Sequence, residues 1–540
     1  MKNTEKLLSI TNLKKYFPVA KSSIFQKEQL YVRANEEITI DIHSGETFGL
    51  VGESGCGKST LGRTILQLYP QTAGSTLYYG RTLEEFAPSY VVKTLQNAPR
   101  MIADWKKRAA KAQAAAAEVE KAGDQATFFQ HQNKNLLAAE ADTAFHNVVK
   151  IMGGFASLDD PSEGAKVLLK KYQTNTRLAK INESIRDLDG EIAFQEAIAK
   201  ELEADSTVKN LPAKIKKALK AAETAAAKRA SLLPVREKLL AVLKDDDAAV
   251  AELKAKYRDD AKFQEYEALL DNGIDLSRLK YTEMRILRKD IQIIFQDPYS
   301  SLNPRMTVGQ IIGEGLTTHK FFKVGDPKMK EYIIDVMEKC GLQGYMLHRY
   351  PHQFSGGQRQ RICIARALAV KPKFIVCDEC VSALDVSIQS QIINLLEELK
   401  ETDKLTYLFI SHDLSVVRYI SDRIGVMYLG NMVELGTAEE IFADPRHPYT
   451  VALLSSIPTT DPDSADKERI ILEGNIPSPI RPPQGCKFHT RCYMACEKCK
   501  VVPPPYVEVS PGHFCACHFL DKKIDENGKY LFEMPAQAQQ

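Results

Sequence analysis

The chain has 540 residues, 44% of them apolar and 26% charged, the balance of a soluble globular protein with room for two to four domains. A net charge of +2 excludes a strong global field for nucleic acid. The sequence has no apolar run of about 18 residues that would span a membrane, and residues 1–10 lack a signal-peptide core, so the expected location is the cytoplasm, or a membrane reached only through partners.

In chain order, Leu7-Leu8-Ser9-Ile10 and Ile38-Thr39-Ile40-Asp41-Ile42 read as strands ahead of the turn Ser44-Gly45. Tyr16 and Phe17 lie between them and could stack on a nucleotide base or simply fill the core. Thr47-Phe48-Gly49-Leu50-Val51 is a short apolar run that suits a buried strand, and residues 61–68 suit a helix. Between them stands Gly52-Glu53-Ser54-Gly55-Cys56-Gly57-Lys58-Ser59-Thr60, which matches G-x-x-x-x-G-K-[ST], a phosphate-binding loop. Glycines let successive backbone N–H groups curl round an anion at a helix N-terminus. Lys58 would reach the β- and γ-phosphates, and the Ser59 hydroxyl would ligate Mg²⁺.

From about 85 to 284 the composition turns to Ala, Lys and Glu, which favours helix. Gly153-Gly154, Pro161 and Pro212 punctuate it into long helical segments. One carries Leu178, Ile181, Ile185, Leu188 and Ile192, a coiled-coil-like stripe. Another is expected to begin near Pro234 and to carry Val235, Leu239 and Val242. Two stripes predict helices packed antiparallel. Strand character returns at Asp290-Ile291-Gln292-Ile293-Ile294-Phe295-Gln296, at Lys373-Phe374-Ile375-Val376-Cys377-Asp378-Glu379 and at residues 405–410. Alternating strands and helices imply an α/β core with a largely parallel sheet.

Transfer of a phosphoryl group from ATP to water needs a phosphate cradle, a divalent ion and a group that orients the water. Asp378, at the end of an apolar strand, would hold Mg²⁺ through water, and Glu379 would act as general base. Phe354-Ser355-Gly356-Gly357-Gln358 opens a second helix with donors for phosphate. Two such helix starts in one chain suggest that the second serves ATP held by another subunit. Of the 11 cysteines, six crowd between Cys486 and Cys517. Cys486, Cys492, Cys499 and Cys517 suit an iron–sulfur cluster or Zn²⁺, with Cys496 and Cys515 as competitors. His489, His513 and His518 read as loop or surface residues rather than ligands.

The phosphate loop, Gln296, the stretch Ser355-Gly356-Gly357-Gln358, the Asp378–Glu379 strand, Ser382-Ala383-Leu384-Asp385 and His412 stand in the order of an ABC ATPase. The chain resembles the ATPase subunits, F-type, of oligopeptide and dipeptide ABC importers. That resemblance also rests on Phe295-Gln296-Asp297-Pro298-Tyr299, His447-Pro448-Tyr449-Thr450 and Pro477-Ser478-Pro479-Ile480. It implies an ABC-type P-loop fold, α/β, split into 1–84 and 285–445. A helical insertion would fill 85–284, a Cys-rich extension 446–520 and a tail 521–540.

The resemblance further implies catalysis by Glu379, His412 and Gln296, and Mg²⁺ at Ser59, Gln296 and Asp378. Ser355, Gly356, Gly357, Gln358 and Asp385 would face a partner's ATP. Tyr16 is expected to stack on adenine, with Phe17 and Tyr31 as rivals. A [4Fe-4S] cluster is implied at the four cysteines, with Zn²⁺ as the alternative. The implied partners are a second ATPase subunit in a heterodimer, two transmembrane permease subunits and an extracytoplasmic peptide-binding protein, with no nucleic acid. The implied location is the cytoplasmic face of the cell membrane. One departure from the family is Cys380, where proline is usual. An ABC-type ATPase with a coiled-coil insert acting on nucleic acid or ribosomes is the competing reading.

Overall fold

The computed structural model describes residues 5–21, 28–204, 211–323, 325–457 and 470–520; the expected tail 521–540 lies outside the described residues. The strands are Lys6–Pro18 (β1), Tyr31–His43 (β2), Thr47–Val51 (β3), Ala73–Tyr78 (β4), Ile274–Asp275 (β5), Ile291–Ile294 (β6), Phe374–Asp378 (β7), Thr406–Ile410 (β8), Arg423–Tyr428 (β9), Asn431–Thr437 (β10), Val507–Ser510 (β11) and His513–Cys515 (β12). The chain divides into two compact units. One comprises residues 1–80 and 275–540, the other residues 81–274.

In the first unit, β1 pairs antiparallel with β2 on one side and β4 on the other, so Ile10 lies opposite both Ile40 and Thr76. The larger sheet runs β11-β12-β10-β9-β3-β8-β7-β6 among the described residues. Its centre is parallel: β3 lies between β8 and β9, and β7 between β8 and β6. Every residue of β3, β7 and β8 is buried, as expected of parallel strands covered on both faces. Side chains such as Phe409, Ile375, Val426, Ile362 and Leu396 share one core, each worth about 1.5–3 kcal/mol of burial.

The register decides where chemistry falls. Leu50 and Asp378 both lie opposite Ile410, and Cys377 lies opposite Ile294. The phosphate loop after β3, Glu379 after β7, Ser411-His412 after β8 and Gln296 after β6 therefore leave the sheet at one edge. That is the carboxyl edge, where open α/β sheets bind ligands.

The second unit is helical. Helices Ala98–Ala122 and Phe128–Met152 precede two longer ones, Ser162–Ala204 and Leu211–Ala255. The long pair is antiparallel. Thr174 Oγ1 donates to Asp246 at 2.7 Å and Arg236 Nε to Asn182 at 3.0 Å, so partner numbers fall as the first number rises. Lys170 completes the pairing of the buried Asp246 at 2.8 Å. Leu178 is buried and Ile181, Ile185, Leu188 and Ile192 half-buried, so the stripe on the first helix faces inward.

The expected stripe on the second helix needs correction. Val235 and Val242 are 43% and 41% exposed. Stepping from Leu239 by three and four, Arg236 takes the inward seat to reach Asn182, while Asp246, Val250 and Leu253 continue the face in the other direction. Pro234 also lies inside this helix and not at its start. An interior proline costs about 3 kcal/mol, and packing along the partner helix offsets it.

Each unit carries its own packed interior, which yields a prediction. Replacing residues 81–274 with a short Gly/Ser linker should leave a folded protein that still binds ATP, because a surface loop's closure entropy grows only about 0.6 kcal/mol per doubling of length. A soluble, folded product that has lost ATP binding would contradict the independence of the units.

Candidate active site

The phosphate loop has the backbone that its glycines permit. Gly52, Gly55 and Gly57 have φ of 146°, 81° and 106°. A Cβ on Gly52 would lie 2.2 Å from the Met427 carbonyl oxygen, and one on Gly57 2.2 Å from that of Ala34. The helix Lys58–Ile65 follows directly. Lys58 is buried, and its Nζ donates to the carbonyl oxygens of Gly52 at 2.7 Å and Glu53 at 3.1 Å. The ammonium therefore closes the loop from within, poised at its mouth. Cys56, also buried, has its thiol pushed up by burial.

A cavity of about 360 Å³ opens over this loop. Ser54, Gly55, Gly57, Lys58, Ser59 and Thr60 form its floor, Gln296 and Glu379 one wall, and Phe17, Val32, Arg33 and Pro479 another. Tyr16, expected to stack on a base, is absent from this lining. It is buried, and its hydroxyl donates to the Glu36 carboxylate. Burial first, then the Glu36 charge, pushes its pKa up. Alternation along β1 explains the exchange: Tyr16 points inward, so its neighbour Phe17 faces the cavity. Tyr31, the other rival, packs 6.3 Å from Tyr16, ring centre to ring centre.

Asp378 is 1% exposed, and its Oδ2 accepts from Arg63 Nη2 at 3.1 Å. Its Oδ1 is buried with no protein partner, an acceptor left for a ligand. Glu379 takes φ of 50°, a left-handed conformation uncommon outside glycine. Its Oε2 accepts from Gln296 Nε2 at 2.7 Å, and its Oε1 lies 3.6 Å from His412 Nδ1. Two groups far apart in sequence, Gln296 and His412, thus meet at one carboxylate. Cys380, at the position usually held by proline, is buried beside Cys377, whose thiol is held protonated by its hydrogen bond to Cys380 and by burial. Both carboxylates keep their places at the end of β7.

Ser355 caps the helix Gly356–Leu368. Its backbone N–H reaches Gln358 Oε1 at 3.2 Å, and the Gln358 N–H reaches Ser355 Oγ at 3.4 Å. This helix start lies outside the lining of the cavity. Asp385 precedes the helix Val386–Asp403 without a side-chain capping bond and is also outside the lining.

Among the cysteines, the Cys486 N–H bonds the Cys499 carbonyl at 2.8 Å, and the sulfurs of Cys496 and Cys499 lie 3.6 Å apart. Burial pushes the thiols of Cys492 and Cys499 up to about 12 and about 11, and Cys492 also feels Cys486, Cys517 and Cys499. Among the described residues, no group of three or more His, Cys, Asp or Glu side chains is gathered as if round an ion. His513 is buried, not at the surface, with Nε2 2.8 Å from Glu434 Oε1.

Several contacts have no local signal in the sequence. Arg63 meets Asp378 across 315 positions, and Arg491 meets Glu53 across 438. Arg33 and Pro479 join the cavity wall from opposite ends of the chain.

An ABC transporter family profile matches residues 35–146 and 259–382, and one for the oligopeptide/dipeptide transporter C-terminal region matches 433–499. The oligopeptide transport ATP-binding protein AppF of Bacillus subtilis (strain 168) is 54% identical over 252 residues, 46% of this chain and 76% of AppF. The chain belongs to the family of ATP-binding subunits of oligopeptide and dipeptide ABC importers. The oligopeptide transport ATP-binding protein OppF of Salmonella typhimurium (strain LT2) is 52% identical over 250 residues, 46% of this chain and 74% of OppF. A dimeric ATP-binding cassette, MJ0796 with ADP and Pi, aligns at 15% identity over 80% of this chain and 99% of that one, with a TM-score of 0.40, too low to carry weight. As a member of this family the importer ATPase hydrolyses ATP. The competing reading, an ATPase acting on nucleic acid or ribosomes, finds no support among these relatives.

The geometry predicts separable defects. Glu379→Gln should cut turnover by about 10²-fold or more, the worth of a positioned base, while ATP binding persists. Lys58→Ala should weaken binding itself by removing a charge-assisted contact. Steady-state hydrolysis in the assembled transporter and equilibrium binding distinguish the two. Wild-type turnover in Glu379→Gln would refute its role.

Proposed function

We propose that this ATPase drives peptide import by closing on ATP against a second ATPase subunit and reopening on hydrolysis. The observation that carries the reading is Glu379 held between Gln296 and His412 at the wall of the cavity floored by the phosphate loop. Glu379 would take a proton from the attacking water. Gln296 would align that water through its hold on Glu379, and His412, 58% exposed, would meet the γ-phosphate. Mg²⁺ fits the orphaned Oδ1 of Asp378 and the Ser59 hydroxyl, and would supply charge neutralisation at the β- and γ-oxygens. Phe17 would be the platform for the base in place of Tyr16. Ser355, Gly356, Gly357, Gln358 and Asp385, outside this chain's own cavity, suit a partner's ATP.

The partners on this reading are a second ATPase in a heterodimer, two permease subunits and an extracytoplasmic peptide-binding protein, which places the chain at the cytoplasmic face of the membrane. No described helix is long and apolar enough to cross a membrane, so attachment would run through the permeases. The test is ATP-dependent uptake of labelled oligopeptides into vesicles carrying the complex that co-purifies with this chain. Uptake that needs both ATP and intact Glu379 supports the reading. Hydrolysis stimulated by DNA or ribosomes, with no permease in the complex, would overturn it. The helical unit would be a partner-contact or regulatory element, or a passive insertion; uptake by the linker variant separates these.

For the cysteines we propose a [4Fe-4S] cluster on Cys486, Cys492, Cys499 and Cys517. The Cys486 N–H on the Cys499 carbonyl at 2.8 Å, which brings the two ends of this loop together, supports it. Anaerobically purified protein should be brown and contain iron and acid-labile sulfide. Colourless protein with stoichiometric zinc would move the site to Zn²⁺.

Phe17→Ala should weaken ATP binding by roughly tenfold, the worth of one aromatic stacking contact of about 1–3 kcal/mol, whereas Tyr16→Phe should leave it near wild type. Titration with a fluorescent ATP analogue checks both. A folded Phe17→Ala with wild-type affinity would remove Phe17 as the platform for the base.

A further inference from the structure

Three side chains of the segment between Cys486 and Cys492, those of Lys487, Phe488 and Arg491, pack onto the ATPase unit. Lys487 Nζ donates to Asn431 Oδ1 and feels the Glu36 carboxylate. The Phe488 ring lies 5.1 Å from Tyr428 and 5.3 Å from Tyr449, centre to centre. Arg491 reaches furthest. Its Nη1 donates to Glu53 Oε2 at 2.7 Å and its Nη2 to Glu53 Oε1 at 3.0 Å. The arginine side chain is only 6% exposed, and a paired fork of this kind is among the stronger and more directional contacts a protein makes.

Glu53 is the first variable residue of the phosphate loop, and the fork is one of three side-chain holds on it. Its backbone N–H donates to Tyr449 Oη at 2.8 Å. Its carbonyl oxygen accepts from Lys58 Nζ at 3.1 Å. One residue therefore links three things: the Cys-rich loop through its carboxylate, the helix Pro448–Ser455 through its amide, and the phosphate-binding lysine through its carbonyl. Glu53 is not in the cavity lining, so its carboxylate is directed to Arg491 and not to the ligand. A carboxylate aimed into the cavity would repel phosphate; neutralised and held aside by a guanidinium, it does not.

We propose that Arg491 is a positioning residue for nucleotide binding. Its grip on Glu53 holds the leading turn of the phosphate loop in the form that receives ATP and keeps the Glu53 charge turned away from the phosphates. The proposal rests on the reading of the loop as the ATP site. It also couples the cysteine region to the ATP site despite their separation in sequence.

The test uses the full chain with Mg²⁺ and a fluorescent ATP analogue. Arg491→Ala and Glu53→Gln should each weaken binding about tenfold, the worth of one charge-assisted contact, and Arg491→Lys should recover only part. The double variant Glu53→Gln/Arg491→Ala should bind no more weakly than the worse single, because both remove one interaction. In the assembled transporter KM for ATP should rise in the same proportion while kcat at saturating ATP stays within about twofold; general loosening of the fold would lower kcat as well. Should Arg491→Ala fail to fold, Glu53→Gln carries the same comparison. A folded Arg491→Ala with wild-type affinity, additive single variants, or a fall in kcat at unchanged KM would overturn the proposal. Failure of the wild-type chain to bind the analogue would instead overturn the reading of the loop as the ATP site, and the proposal with it.

Discussion

The parallel register of β6, β7, β8 and β3 is the constraint on which the site depends. Because Leu50 and Asp378 both stand opposite Ile410, four strands end together and four loops emerge side by side. Slipping β7 by one residue would turn Asp378 to the opposite face of the sheet and separate it from the phosphate loop. The register is in turn held by burial. β3, β7 and β8 have no exposed residue, so a slip of β7 would draw a flanking charged residue, Lys373 or Glu379, into the buried sheet. The core packing and the catalytic geometry are therefore one problem with one solution.

At this edge each charged group already has a partner. Lys58 holds loop carbonyls, Asp378 holds Arg63, and Glu379 holds Gln296. Buried charges without such partners would be costly. These partners are nonetheless exchangeable: neutral carbonyls for Lys58, one of two oxygens for Asp378. A ligand bearing phosphates and a cation can replace them with stronger contacts, and the site is thereby organised before the ligand arrives.

How far the sequence carries the argument varies with distance along the chain. The phosphate loop is legible because its glycines, lysine and serine act within nine consecutive residues and the flanking strand and helix have clear periods. Asp378 and Glu379 are legible because an apolar run ends on them. Phe17 and Tyr16 differ only in which face of β1 they occupy, and alternation alone does not say which face meets the cavity. The same limit applies to the second long helix, where an inward Arg236 displaces Val235 because Asn182 waits across the interface. The Arg491–Glu53 and Arg63–Asp378 pairs leave no trace in spacing, because tertiary structure alone brings their partners together.

The central claim is that one sheet edge assembles a single Mg²⁺–ATP site from these four loops. It is tested most directly by a structure of the full chain with Mg²⁺ and a non-hydrolysable ATP analogue. The account predicts Lys58 Nζ moved from the carbonyls of Gly52 and Glu53 onto the β- and γ-phosphates, Asp378 Oδ1 turned to the hydrated Mg²⁺, and Glu379 beside the terminal phosphate. An analogue bound elsewhere, or bound with Lys58 still on its carbonyls and Asp378 Oδ1 still without a partner, would contradict it.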